Sequence, residues 1–169
     1  MVRVNEVMTP TVVRLNRDDT LCQATTLMAK KGISGAPVVD GEDHLVGILS
    51  EADILEFAAS KEGIGLELGG TLSMVSLPYD RIVRDAELCN RYQSVGAAKV
   101  KDAMNEEVVT IEADEDMEKA LETMVRLGFN RLPVVSDGKL VGMVARQDIM
   151  VAMCREIGDR SSPYCRTGR

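Results

Sequence analysis

Few residues in this chain have the type and spacing for chemistry, and the clearest of them stand at two matching places. The segment Gly47-Ile48-Leu49-Ser50-Glu51-Ala52-Asp53 reappears as Gly142-Met143-Val144-Ala145-Arg146-Gln147-Asp148. Each follows an apolar run with an aspartate about one turn into the next element. If a strand ends and a helix begins there, the carboxylate lies beside free backbone N–H groups. It can then accept from both hydroxyls of a ribose while the helix terminus favours phosphate, with Ser50 adding a polar contact. The same spacing also suits a helix cap, because Ser50 as N-cap with Asp53 three residues on resembles a capping box. Ala145 has no side-chain oxygen to cap with, yet Asp148 is present, which points to a carboxylate wanted for more than reciprocal capping.

The rest of the chain offers little to an enzyme. It has no Gly-x-Ser-x-Gly, no P-loop and no cluster of metal-ligand spacing. The lone histidine, His44, falls in a polar turn where solvation is its simplest fate, and it leaves little for acid–base work near neutral pH. Cys22, Cys89, Cys154 and Cys165 are scattered without a Cys-x-x-Cys pair and read as reduced and structural. A net charge of −7 opposes binding to nucleic acid or an anionic membrane. The start of the chain lacks a signal-peptide core and no stretch is apolar enough to span a bilayer, so a cytoplasmic location is expected.

The two aspartate segments are part of a longer repeat. Val4 to Val39 lies over Val100 to Val135 without a gap, and Leu45 to Leu55 lies over Leu140 to Met150 after one loop residue is dropped, with roughly a third of positions identical. Each copy opens with a short apolar strand, Thr11 to Leu15 or Val108 to Ile111. A helix follows, with Leu21, Ala24, Leu27 and Met28 on one apolar face, or Met117, Ala120, Leu121, Met124 and Val125 in the second copy. Gly32 and Gly128 stand where a left-handed C-terminal cap is needed.

The runs Ala36-Pro37-Val38-Val39 and Leu132-Pro133-Val134-Val135 then form hairpins with Leu45 to Leu49 and Leu140 to Val144. Closing helices are expected over about 51–59 and 146–157, the latter with Met150, Met153, Cys154 and Ile157 on one face. The predicted fold is therefore α/β (α+β): two pseudo-symmetric βαββα units packed sheet to sheet, because one unit alone is small for a stable core. The expected boundaries are 1–59 for the first unit, 60–98 for a glycine-rich loop and linker helix, 99–158 for the second unit and 159–169 for a flexible tail. In the linker helix Ile82, Val83, Ala86, Cys89 and Tyr92 fall near helical spacing.

The paired Pro-Val-Val strands, the two Gly-to-Asp signatures and the openings Val7-Met8-Thr9-Pro10 and Ala103-Met104-Asn105 resemble tandem cystathionine β-synthase-type (CBS) domains over Val4 to Leu55 and Val100 to Met153. The resemblance implies a non-catalytic sensor that binds an adenosine-containing ligand between the two units. The first cleft would then use Asp53 for ribose, Ser50 near ribose or phosphate, Met8, Val13, Ile33 and Ser34 around the base, and Asn130 with Arg131 toward phosphate. A second, weaker cleft would use Asp148 with Met104, Val109, Phe129 and Asn130. It has Ala145 in place of a hydroxyl residue and Gly35 where the other copy has Arg131. Val13, Val109 and Ile33 are equally read as core, and Arg131 as a surface ion-pair residue.

The implied ligand is AMP, ADP or ATP, as in energy sensing, with no obligatory cofactor and no metal. S-adenosylmethionine is the alternative, and a ligand-free protein-interaction scaffold is a reading of a different class. Because no effector domain is legible, output is expected to pass through self-association, as a homodimer, or through an effector protein.

Overall fold

The computed structural model describes residues 2–61 and 95–157. The expected linker helix and the tail fall outside these residues, apart from the first and last few positions of the 60–98 segment. In chain order the elements are α1 (Val4–Val7), β1 (Leu15–Asn16), α2 (Leu21–Lys31), β2 (Gly35–Val39), β3 (Leu45–Ser50) and α3 (Glu51–Lys61). A 3-10 turn (Val100–Asp102) follows, then β4 (Ile111–Glu112), α4 (Met117–Leu127), β5 (Arg131–Ser136), β6 (Lys139–Ala145) and α5 (Arg146–Ile157). Two three-stranded sheets result, ordered β1-β2-β3 and β4-β5-β6. This is the expected mixed α/β architecture with its duplicated order.

Both first helices stop as the glycines predict. Gly32 has φ of 63° and Gly128 of 76°, a conformation that costs a side chain with a Cβ. Thr20 and Gln23 form a capping box at the start of α2. The opening strands are shorter than expected. Only Leu15–Asn16 and Ile111–Glu112 pair, parallel to Val38–Val39 and Val134–Val135. The ladder ends there because the chain turns at once, with Asp19 and Glu115 donating back to Asn16 and Glu112.

The chain divides into two compact units, and neither is a continuous piece of sequence. One, the Asp53 unit, comprises Arg14–Asp40 and Val46–Glu107; the other, the Asp148 unit, comprises Met1–Val13, Gly41–Leu45 and the chain from Val108 onward. Each repeat's opening segment thus belongs to the unit built on the other repeat. In the Asp148 unit Val4 is fully buried against Ile111, Met117 and Leu132. Its N–H donates to the Glu115 carbonyl, and Asn5 donates to Ala113, both at 2.9 Å. In the Asp53 unit Val100 is likewise fully buried beside Leu15 and Leu21, and donates to the Asp19 carbonyl at 2.9 Å. Lys101 Nζ bonds Asp18 at 2.7 Å, which holds that carboxyl below the ordinary carboxylate range.

Two apolar faces differ from the sequence reading. Val125 is 66% exposed. Helix α5 buries Ile149 and Ala152 and leaves Met150 and Met153 in solvent, 46% and 41% exposed. Two stripes of apolar residues compete for the core along this helix. Its phase is set where β6 runs into α5, and that places Ile149 inward. The turn expected to be solvated is also structured: Leu45 donates to Gly138 and Leu140 to Asp43, each at 3.0 Å, and His44 is half-buried in that pairing. Among the described residues no helix is long and apolar enough to cross a membrane.

Trimming Val4 or Val100 removes two buried methyl groups from a packed site. Val4→Ala or Val100→Ala is therefore expected to cost about 2–3 kcal/mol in urea unfolding, whereas Asn5→Ala, at an exposed position, stays within about 0.5 kcal/mol.

Candidate functional site

Each aspartate is positioned by the strand before it. β3 ends at Ser50 and α3 begins at Glu51; β6 ends at Ala145 and α5 begins at Arg146, so Asp53 and Asp148 lie in the first turn of their helices. Both are half-buried. Asp53 Oδ2 accepts from the Ser50 N–H at 2.7 Å and from Ser50 Oγ at 2.6 Å, while Ser50 Oγ accepts from the Asp53 N–H at 3.3 Å. This is a complete capping box. Asp148 Oδ2 accepts from the Ala145 N–H at 2.8 Å.

The second geometry corrects an argument made from sequence. Ala145 was expected to abolish capping and so to reveal a separate need for Asp148. In fact the carboxylate still satisfies the backbone N–H at the helix start, since that half of the box needs no side chain at Ala145. Capping alone therefore accounts for both carboxylates being where they are. It does not use them up: among the described residues every one of these bonds to Asp53 and Asp148 ends on Oδ2, leaving Oδ1 for another donor.

The structure regroups the other candidates. In the Asp53 unit, Ile33 is half-buried against the core and the Ser34 carbonyl accepts from the Glu51 N–H at 3.0 Å, so Ile33, Ser34, Ser50 and Asp53 come together. Met8 and Val13, expected beside Asp53, belong to the Asp148 unit. Met104, expected with Asp148, belongs to the Asp53 unit. The glycines of the two signatures are the cause. Thr9 and Met143 exchange backbone bonds at 2.8 and 3.0 Å, laying Met8 across Gly142, where an added Cβ would stand 2.5 Å from its sulfur. Asn105 and Ile48 pair in the same way, laying Met104 across Gly47.

In the Asp148 unit, Val109 packs on the core and Phe129, Asn130 and Arg131 are exposed. Arg131 stands opposite Ala145 in the β5–β6 register, and the Asn130 carbonyl accepts from the Arg146 N–H at 3.0 Å. Sequence reasoning missed Arg146. Its guanidinium donates to the carbonyls of Phe129 at 2.9 Å and Met124 at 3.0 Å, tying the C-terminus of α4 to the start of α5. The available signal was the contrast with Glu51, the matching residue of the first copy. Beside Asp148, an open groove of about 430 Å³ runs between α1 and α5, lined by Glu6, Val7, Gln147, Asp148, Val151, Ala152 and Arg155.

Comparison with known proteins follows the repeat. The family model of the CBS domain matches residues 4–60 and again 100–155. The protein MJ1426 of Methanocaldococcus jannaschii is 32% identical over 152 residues, covering 89% of this chain and 90% of that one. Among solved structures, the CBS domain of a CBS domain containing membrane protein from Sphaerobacter thermophilus is similar with a TM-score of 0.66 at 29% identity. That match covers 89% of this chain and 86% of the other. CBSX2 of Arabidopsis thaliana, solved in complex with AMP, has a TM-score of 0.65 at 23% identity over 93% and 99%.

The capping geometry makes a testable contrast between the copies. Ser50→Ala is expected to cost about 1 kcal/mol of ligand-free stability, while Ala145→Ser, which completes the second box, adds about 0.5–1 kcal/mol, both read from urea midpoints.

Proposed function

The chain belongs to the CBS-domain family, carrying the domain twice, and from that premise we propose that it is a non-catalytic regulatory module that binds an adenosine-containing ligand, AMP, ADP or ATP. The observation that carries this reading is the duplicated aspartate, held by its own helix start on one oxygen with the other free to accept from a ribose hydroxyl. The N–H groups at the same helix start favour a nearby phosphate. The AMP complex of CBSX2 supports the reading, since that protein shares the fold. Asp53 with Ser50, Ile33 and Ser34 forms the nucleus of one site, and Asp148 with Val109, Phe129, Asn130 and Arg131 that of the other. Met8 packs on the core of the Asp148 unit, which also contains Val13, and Met104 on that of the Asp53 unit.

The output of such a module is a change in what it binds. Leu55 and Met150, at matching positions of α3 and α5, are 67% and 46% exposed. Large apolar side chains displayed on matching helices suit self-association, so we assign these helices to a homodimer contact, with an effector protein reading the liganded state in the cytoplasm.

AMP at about 100 times its dissociation constant is expected to add roughly 2.7 kcal/mol to unfolding, visible as a rise in Tm. Asp148→Ala should weaken AMP about 10-fold or more by calorimetry, because a charged acceptor is lost. A Tm unchanged by AMP, ADP and ATP alike would instead support a ligand-free scaffold. Leu55→Arg combined with Met150→Lys is expected to halve the particle mass in light scattering.

A further inference from the structure

We infer that the outward stripe of α5 is a soft-metal site, in which the thioethers of Met150 and Met153 and the thiolate of Cys154 hold one Cu(I) ion. Periodicity alone would put this stripe in the core. The structure turns it the other way: Ile149 and Ala152 are buried, Met150 and Met153 are exposed, and Cys154 is half-buried. Three sulfur side chains thus stand together on the surface of one helix.

Their spacing suits a single ion. Positions i, i+3 and i+4 share a helix face with Cβ atoms about 5–6 Å apart, so Met150 neighbours both Met153 and Cys154 one turn on. A methionine side chain has three rotatable bonds and ends in a thioether, which gives it the reach to turn its sulfur onto an ion beside the cysteine. The Cys154 sulfur is a thiol and not part of a disulfide. Packing does not call for sulfur here. The matching positions of α3 are Leu55, Ala58 and Ala59, which carry none, and Leu55 is exposed as Met150 is.

Donor chemistry selects the ion. Two thioethers and one thiolate are soft ligands and favour Cu(I), whereas structural zinc takes thiolate with imidazole, and calcium or magnesium takes oxygen. As the Cys154 sulfur bonds the ion its proton passes to solvent, no electron is transferred, and the loaded centre is neutral. Met150 also belongs to the homodimer contact proposed above, so the ion and a second copy compete for it.

The test is an anaerobic titration of the full chain with Cu(I) against a chromophoric Cu(I) chelator, followed by methionine methyl NMR. The first equivalent is expected to move the Met150 and Met153 signals, with one proton released per ion; Zn(II) should leave both signals in place. Cys154→Ser, and Met150→Leu combined with Met153→Leu, should each weaken binding at least ~10-fold, with Tm read on each variant. Cys22→Ser, at an exposed cysteine of the other unit, should change it by no more than about twofold. Leu55→Arg, which opposes contact between copies, should keep or raise the affinity, so a failure of the homodimer reading leaves this inference standing. Unmoved Met150 and Met153 signals, the same shifts with Zn(II), wild-type affinity after loss of the three sulfurs, equal weakening by Cys22→Ser, or loss of binding in Leu55→Arg overturns it.

Discussion

The arrangement depends on one backbone exchange made twice: an opening segment pairs with the last strand of the other repeat across a glycine. Thr9 bonds Met143 in both directions beside Gly142, and Asn105 bonds Ile48 beside Gly47. A Cβ at either glycine would stand 3.0 Å from a backbone oxygen of the segment that crosses it, so a side chain there would push that segment outward by a few tenths of an ångström and displace the methionine lying across the glycine. From this contact the rest follows. It fixes the direction of α1, buries Val4 or Val100 in the core reached by that segment, and brings Glu6 and Val7 to the edge of α5. The glycine of each signature is thus a packing device, and the aspartate six positions on belongs to the helix that the same strand launches.

On the proposed reading, stability and binding share the residues at the helix starts. A carboxylate in the first turn satisfies a backbone N–H that would otherwise face solvent or burial unpaired, and it does so with one oxygen. The helix has its start without a ligand, and a ligand bound as proposed would find an acceptor already oriented, so that little rotamer freedom would be lost. Replacing one hydroxyl by a methyl, Ser50 against Ala145, changes how much of that acceptor is committed internally.

Most of the architecture was legible in the chain. The repeat, the Pro-Val-Val strands and the two glycine-capped helices were readable because each rests on local physics: periodicity, turn chemistry, and a left-handed backbone at Gly32 and Gly128. What was illegible was any choice between equivalent partners. Met8 and Met104 are matching residues, and no local signal says which glycine each will cross. The phase of α5 was ambiguous for a similar reason, since Met150 and Met153 form a stripe as regular as that of Ile149 and Ala152, and only packing chooses. The matching position of the two aspartates at a helix start was legible. The meaning drawn from Ala145 did not hold, because half of a capping box requires nothing from the side chain at that position.

The most direct measurement is a crystal structure of the full chain grown with AMP. The account predicts nucleotide density with ribose hydroxyl oxygens within about 3 Å of the Asp53 or the Asp148 carboxylate. A nucleotide whose ribose faces away from both Asp148 and Asp53, with those carboxylates making only their helix-start bonds, would contradict it.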